Sequence, residues 1–463
     1  MLSTISAKHV FCIGIGGIGV SGLAEWLHLH GIRVSGSDTN ETAITKRLQS
    51  LGIPVFYQHD ANNLGDADLV VYTSAVSKNN PERMEADKKN IAQIKRGQLL
   101  ADVMRNYEGI AVAGTHGKTT TSGLISWVFE RCHQDPSFML GGILRDRDTT
   151  MRCGKSRFFI AESDESDASF LLLSPTIAVI TNIDYDHMET YEHNFEKLKQ
   201  SFLQFVSRIP ETGCVAVCID NPAVRELVPQ IKARVMTYGE SADADYQLIS
   251  FAQKGLHSIN TIKKRNGDTY SFQLNLTGKH NALNAIATLI VAEHAGLNIK
   301  DAAEALKTFP GMRRRFHPRG EMQLSGGTAL IYDDYGHHPT EVRATLQAAK
   351  LAWPERRIVV VFQPHRYTRT RDLMSDFAAV LQLADQVVLT EVYAASEIKI
   401  EGADGAALFN AVKEAGAQHA EFVPQLSDLP SSLARLLKPN DVVILQGAGN
   451  IVTMAGVLVN QKM

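Results

Sequence analysis

The chain has 463 residues, more than one hydrophobic core ordinarily serves, so several domains are expected. Charged residues make up 21% and apolar ones 44%, an ordinary globular balance, and a net charge of −3 speaks against a nucleic-acid partner. No apolar run is long enough to span a bilayer, no signal-peptide pattern opens the chain, and the five cysteines follow no metal or disulfide spacing, so a reducing, cytoplasmic setting is expected.

The first stretch, 1–107, alternates strand and helix patterns. Residues 8–13 read as a strand, Gly14-Ile15-Gly16-Gly17-Ile18-Gly19 as a glycine loop, and the following residues to about 30 as a helix. A second strand at 32–36 ends at Ser37-Asp38. A G-x-G-x-x-G loop between strand and helix, with an acid beyond it, places a diphosphate on a helix start; any nucleotide diphosphate would satisfy it, NAD among them. Ser74 stands at the carboxyl end of the strand predicted at 68–73, where ligand sites of α/β sheets form. His59 is isolated and reads as structural. The stretch is short for two mononucleotide-binding halves, which counts against a full NAD domain.

At 110–113 a short apolar strand runs into Gly114-Thr115-His116-Gly117-Lys118-Thr119, and residues 120–129 then read as a helix. This is a phosphate cradle in which glycines admit backbone N–H groups, Lys118 reaches the outer phosphates and the Thr119 hydroxyl serves Mg²⁺. Val112 stands where the full pattern wants its first glycine, so the loop is a shortened variant. Residues 138–142 and 158–161 read as strands, 145–154 as a polar turn or hairpin. Glu162, at the end of the buried strand behind the phosphate loop, is where a metal-ligating carboxylate belongs, while Asp164, Glu165 and Asp167 read as a solvated acidic loop. The strand at 176–180 leads to His187, which serves a metal or phosphate site or caps a helix; both readings stay open. Residues 195–206 read as a helix, 215–219 as a strand, and 234–276 as a small antiparallel excursion with a turn at Asn266-Gly267-Asp268. Asn281 and Asn284 share a face of the next helix; an Asn amide pairs with an adenine edge, and capping is the alternative for Asn281.

The last stretch opens at Arg313-Arg314-Arg315, a local phosphate or carboxylate contact. A strand at 330–334 ends in Asp333 and Asp334, followed by Tyr335, Gly336, His337, His338 and a helix introduced by Pro339. The strand at 357–362 ends in a polar loop holding His365, Arg366 and Arg369, suited to a carboxylate or phosphate. Strands at 386–390 and 441–445 complete a largely parallel sheet, the latter running into the glycine turn 447–450.

The stretches GIGGIG at 14–19, AGTHGKTTT at 113–121, AESDESDASF at 161–170, TNIDYDHMETY at 181–191, KHNALNA at 279–285, GMRRRF at 311–316, DDYGHHPTE at 333–341, QPHRYTRT at 363–370 and GAGN at 447–450 together resemble the Mur ligase family over essentially the whole chain. The resemblance implies an α/β protein of three domains. These are a Rossmann-like N-terminal domain at 1–107 binding UDP-N-acetylmuramate, a central P-loop-type ATP-binding domain at 108–311, and a Rossmann-like C-terminal domain at 312–463 binding the amino acid. It implies a cytoplasmic, ATP- and Mg²⁺-dependent ligase joining L-alanine to the UDP-sugar in peptidoglycan precursor synthesis, as a monomer or weak homodimer. The neighbouring alternative is a ligase that attaches recycled tripeptide to the same sugar.

On this likeness Gly16, Gly17, Ile18, Gly19, Asp38 and Ser74 face the UDP-sugar. Gly114, Thr115, His116, Gly117, Lys118, Thr119, Thr120, Asn281, Arg314 and Asp334 face ATP, with Thr119, Glu162 and His187 on Mg²⁺. Tyr335, His365, Arg366 and Arg369 hold the amino acid, and His337 is the candidate base. Many relatives carry a carbamylated Lys where this chain has Phe202, a departure that matches the alanine-adding branch. An NAD-dependent oxidoreductase would leave Lys118, Thr119 and Glu162 without work, and a nucleotide-gated scaffold would not need the groups at 333–341 and 363–370.

Overall fold

The computed structural model describes residues 6–460. Its strands form three sheets in chain order. The first comprises β1 (His9–Ile13), β2 (Arg33–Ser37), β3 (Val55–Phe56), β4 (Leu69–Tyr72) and β5 (Ala92–Lys95), in the order β3-β2-β1-β4-β5, and every pairing is parallel. β1 lies central and wholly buried, and the helix Ile18–Leu29 begins just beyond its carboxyl end. His59 is structural here: its Nδ1 lies 2.9 Å from the buried Glu82 carboxylate and 3.0 Å from the Ser37 hydroxyl.

The second sheet holds β6 (Glu108–Ala113), β7 (Ser137–Met139), β8 (Met151–Arg152), β9 (Phe158–Glu162), β10 (Ile177–Ile180), β11 (Cys214–Cys218), β12 (Arg234–Gly239), β13 (Tyr246–Lys254), β14 (His257–Lys264) and β15 (Thr269–Leu274). The order is β15-β14-β13-β12-β11-β10-β6-β9-β7-β8. β6 lies between β9 and β10, parallel to both, so connections leave it toward opposite edges. That reversal opens a crevice at the carboxyl ends of the strands, and the phosphate loop emerges there. Residues 145–154 supply part of the turn and the second strand of a hairpin, with β8 antiparallel to β7. The stretch at 234–276 belongs to the main sheet: β12 runs parallel to β11 and the start of β13 parallel to β12, with β14 and β15 beyond them at the edge. The expected turn at 266–268 joins β14 to β15, with Gly267 N–H donating to the Lys264 carbonyl at 2.9 Å.

The third sheet holds β16 (His317–Leu324), β17 (Gly327–Asp334), β18 (Ile358–Phe362), β19 (Gln386–Leu389), β20 (Ala420–Phe422) and β21 (Val442–Gln446), in the order β16-β17-β21-β18-β19-β20. Only β16 is antiparallel. Alternate residues of β18 and β21 enter separate apolar clusters, Val360 and Ile444 in one and Val361 and Leu445 in the other, as a sheet covered on both faces requires.

The chain divides into two compact units. One runs up to Ser250 and adds Asn260–Gln273 and Leu283–Pro310; the other takes Phe251–Ile259, Leu274–Ala282 and everything from Gly311. All five cysteines are free thiols, and burial pushes those of Cys12, Cys214 and Cys218 up to about 12. They are apolar filler in strands. Among the described residues no helix is long and apolar enough to cross a membrane.

Phe202 lies on the buried side of the helix Phe195–Val206, with its ring 5.2 Å from that of Phe170 in a T-shaped arrangement. Phe205 also meets Phe170, at 5.2 Å. Phe202→Ala is expected to lower unfolding free energy by about 3–5 kcal/mol through the cavity left behind, measured by urea denaturation.

Candidate functional site

The phosphate loop is built by two glycines whose backbone other residues adopt poorly: Gly114 has φ +128° and Gly117 φ +84°. A side chain at Gly114 would strike the Thr181 hydroxyl, and one at Gly117 the Asn284 amide. The helix Lys118–Arg131 starts immediately after Gly117, which caps it without a side-chain hydrogen bond. Its first N–H groups therefore stand at the loop, where phosphate oxygens are favoured.

The loop is laced to the segment after β10. Thr115 N–H donates to the Asn182 carbonyl at 3.0 Å, His116 N–H to the Asn182 side chain at 2.8 Å, and the Thr181 hydroxyl to the His116 carbonyl at 2.6 Å. Asp184 N–H donates to the Thr115 hydroxyl at 2.9 Å, and the His116 ring lies 3.1 Å from the Asp184 carboxylate.

Lys118 bends back over the loop. Its ammonium donates to the carbonyls of Gly114 at 2.7 Å and Thr115 at 3.1 Å and pairs with Glu165 at 2.8 Å. Burial works to lower its pKa, but the carboxylates of Glu165, Glu162 and Asp164 outweigh burial and raise it. Glu165 is only 1% exposed, and its burial pushes the carboxyl up to about 7 against the pull of Lys118. This corrects the reading of Glu165 as part of a solvated loop. The chain turns it inward because Lys118 offers a charge partner and Tyr191 donates its hydroxyl to the Glu165 carbonyl.

Glu162 ends β9 on the other side of the loop. Its carboxylate accepts from the Thr119 hydroxyl at 2.9 Å and from Gly141 N–H at 3.0 Å. A Cβ on Gly141 would lie 2.0 Å from that carboxylate. Thr119 and Glu162 thus converge as hard oxygen donors, the donor set Mg²⁺ takes. His187 is the left-handed residue heading the short helix Met188–Tyr191, but its side chain does not cap it; its Nε2 lies 3.6 Å from the Asp186 carboxylate. Thr120 is buried within the first helical turn.

In the glycine loop of the first sheet, Gly14 and Ile15 donate to the Ser37 carbonyl at 2.8 and 3.0 Å. Asp38 accepts from Gly16 N–H at 2.9 Å and Asn40 N–H at 3.1 Å, so this acid braces the loop from within. Gly17 caps the helix Ile18–Leu29 with no side-chain bond, leaving the N–H groups at Ile18 and Gly19 for an anion. Ser74 is exposed in the turn after β4, the strand paired to β1.

The second unit gathers its polar groups at the carboxyl ends of β17, β18 and β21. Asp334 is buried and accepts from Phe316 N–H, Gly336 N–H and the Gln446 amide, each at 2.8 Å, and from the Thr345 hydroxyl at 3.3 Å. It braces the 335–338 turn, and one of these donors would have to be exchanged for it to meet a nucleotide. Arg314 donates to the carbonyls of Gly447 at 2.7 Å and Gly449 at 3.3 Å, and the guanidinium carbons of Arg314 and Arg315 lie 4.8 and 5.3 Å from the centre of the Tyr335 ring. His337 sits edge-on to Tyr335 at 5.3 Å and to His365 at 5.5 Å. Arg369 approaches His365 Nδ1 at 3.4 Å, and exposed Arg366 follows it. Arg314, Phe316 and Arg366 all hold positive φ, 58°, 44° and 70°, so non-glycine strain collects in this cluster. Asn281 lies in this unit and donates to the Thr277 carbonyl at 2.8 Å.

Sequence reasoning misread Glu165 and assigned no role to Gln446, Gln363 and Tyr393. Tyr393 lies parallel to His365 at 5.7 Å, and Gln363 bonds Asn450 at 2.8 Å and Ile451 N–H at 3.0 Å. Gln363 and Gln446 flank strand ends already marked by acids and glycines, a usable signal; Tyr393 carries none.

Three family models match in succession: "Mur ligase family, catalytic domain" at 9–108, "Mur ligase middle domain" at 112–292 and "Mur ligase, glutamate ligase domain" at 314–449. A UDP-N-acetylmuramate–L-alanine ligase of Coxiella burnetii (strain Dugway 5J108-111) is 50% identical over 453 residues, 98% of this chain and 97% of the relative. Among solved structures, a UDP-N-acetylmuramate-alanine ligase from Thermotoga maritima aligns with TM-score 0.83 and 31% identity, covering 98% of each chain. A murein peptide ligase from Psychrobacter arcticus 273-4 aligns with TM-score 0.73 at 21% identity over 98% of this chain and all of its own, a likeness of fold.

Burial, then the charges of Arg369 and Arg366, push the His365 imidazole down to about 4. A folded value below the unfolded one means the unfolded chain binds the proton first as pH falls. His365 therefore costs stability progressively from about pH 6.5 down to about 4, and nothing above that range. An NMR titration of the folded protein is expected to place its midpoint near 4, and Arg369→Ala is expected to move it upward.

Proposed function

The chain belongs to the Mur ligase family, and we propose that within it the protein joins L-alanine to UDP-N-acetylmuramate at the expense of ATP, releasing ADP and phosphate. The observation that carries this reading is the pairing of a lysine-bearing phosphate loop with an Arg–His cluster at strand ends of the second unit. The first suits ATP and the second a small amino acid. The half identity to a UDP-N-acetylmuramate–L-alanine ligase over 98% of the chain selects alanine over tripeptide.

In this reading the Gly14–Gly19 loop holds the UDP diphosphate at the start of its helix. The muramoyl carboxylate attacks the γ-phosphate of ATP; the O–P bond forms as the bond to ADP breaks. Lys118 stabilises charge on the transferring group, which is electrostatic catalysis by a preplaced cation. Thr119 and Glu162 would hold Mg²⁺, which neutralises phosphate charge, with His187 a further candidate at the same crevice. Arg366 and Arg369 take the alanine carboxylate as forked cations. His365 stays neutral at working pH, because burial first and the two arginines second disfavour its charged form. Alanine nitrogen attacks the acyl phosphate, the C–O bond to phosphate breaks, and the ammonium proton passes to a base, for which His337 is placed beside His365. Asn281 faces adenine, and Arg314 and Asp334 border the nucleotide. The protein works in the cytoplasm in making peptidoglycan precursors, as a monomer or weak homodimer.

Phosphate release with UDP-N-acetylmuramate and ATP is expected to require L-alanine and to stay near background with the tripeptide. Lys118→Ala is expected to lower kcat about 10²–10³-fold. Equal release with tripeptide, or release without any amino acid, would overturn the reading.

A further inference from the structure

The first unit holds a recess that the chemistry above leaves unused. Its volume is about 420 Å³, a size at which small ligands are bound. It is lined by β12, the start of β13, the end of β14 and the last turns of the helix Lys279–His294, all within this unit. Arg234, the first residue of β12, pairs with Cys214 at the amino end of β11, whereas the phosphate loop leaves the carboxyl end of β6. Glu293, in the helical wall, lies about 14 Å further along its helix than Asn284, the residue that backs Gly117 of the loop. The recess is therefore separate from the nucleotide crevice.

Its walls are already braced. Tyr246 is only 3% exposed and donates its hydroxyl to the Glu293 carboxylate, whose other oxygen takes the Lys264 ammonium at 2.5 Å. Asp245 pairs with Arg265 Nε at 3.1 Å, and its second oxygen accepts from Thr237 N–H at 2.9 Å and the Thr237 hydroxyl at 2.8 Å. Both carboxylates thus carry their own cations. Arg234 is exposed, and among the described residues it makes no hydrogen bond or ion pair, yet its charge reaches both Tyr246 and His294. Burial, joined by that charge, holds the His294 imidazole below its ordinary value against a bond to the Thr212 backbone, so this ring is neutral at pH 7. Three cations then face two carboxylates, and the positive charge left over is that of Arg234. Met236 and Ile290 supply an apolar side to the same recess. A phosphate dianion would meet Asp245 and Glu293 with more negative charge than Arg234 offsets, whereas one carboxylate matches a single guanidinium fork.

We propose that this recess is a second ligand site, which takes a small organic monocarboxylate with its carboxylate forked on Arg234 and its apolar body against Met236 and Ile290. The site stands apart from the ligase reaction and does not depend on that reading. Lys264, Tyr246 and Glu293 hold its shape whether or not a ligand is bound, so binding needs only the arginine to settle.

The test is an NMR titration of the full-length protein with labelled histidine, following the His294 ring, whose signals are assigned by a His294→Gln control. Three probes are added in turn: benzoate, the uncharged benzyl alcohol, and phenyl phosphate. Benzoate is expected to shift the His294 signals saturably, benzyl alcohol to leave them in place, and phenyl phosphate to bind more weakly than benzoate. Arg234→Ala is expected to weaken benzoate about tenfold or more, the worth of a charge-assisted fork, with ATP affinity unchanged. Arg234→Lys keeps the charge without the fork and is expected to lose about threefold or more. Should Arg234→Ala not fold, Arg234→Lys decides by the same midpoints. No saturable shift with benzoate, or one of equal midpoint in the Arg234 variants, overturns the site. Phenyl phosphate binding tighter than benzoate, or benzyl alcohol binding as well, overturns the carboxylate assignment.

Discussion

The first unit depends on one buried charge. Lys118 has three N–H donors and, in this structure, three acceptors: two loop carbonyls and Glu165. Carbonyl contacts close the loop on itself, and the carboxylate pins the acidic segment behind it. Removing one partner of such a buried pair costs about 3–5 kcal/mol, because the other charge is left uncompensated. The ammonium is thus a structural post before it is a phosphate ligand. Glu162 balances it across the crevice, drawn to Thr119 and Gly141 rather than to the lysine.

The two units solve a shared problem by different means. The phosphate loop uses glycines with positive φ and backbone N–H groups, so its specificity is for shape and negative charge. The Arg–His cluster uses strained non-glycine residues, Arg314, Phe316 and Arg366, whose side chains must stand at set angles. Strain there is held by buried polar braces, above all Asp334 and Gln446. Glycine would relax the backbone but remove the side chain that the site needs.

Much of this was legible in the sequence, because a buried parallel strand announces itself as an apolar run ending in glycine, acid or histidine. β1, β6, β11 and β17 do so, β10 and β18 run into polar loops that reach Asp184 and His365, and the candidate ligand groups sit at these ends. β5 and β16 escaped prediction for the same reason in reverse: Ala92–Lys95 and His317–Leu324 are mostly exposed, so their sequences carry no apolar run. Residues 234–276 read as a small antiparallel excursion because their alternation is weak, whereas β12 joins them to the main sheet beside β11. Glu165 was misread because sequence shows its acidic neighbours but not the lysine folded over from 118. Tyr393 was silent, since it matters through His365, a partner distant in the chain.

Phe202 has one more consequence. A lysine there could capture carbon dioxide as a carbamate and supply an extra anionic oxygen pair to the crevice; the phenyl ring buried on Phe170 offers no nitrogen for that reaction. Lys199, one turn earlier, is held as a cation between Glu196 and Glu226, at 2.6 and 2.8 Å, so its amine is not a substitute nucleophile. At position 202 the chain therefore offers no amine on which a carbamate could form, and any anionic oxygen needed there has to come from another side chain.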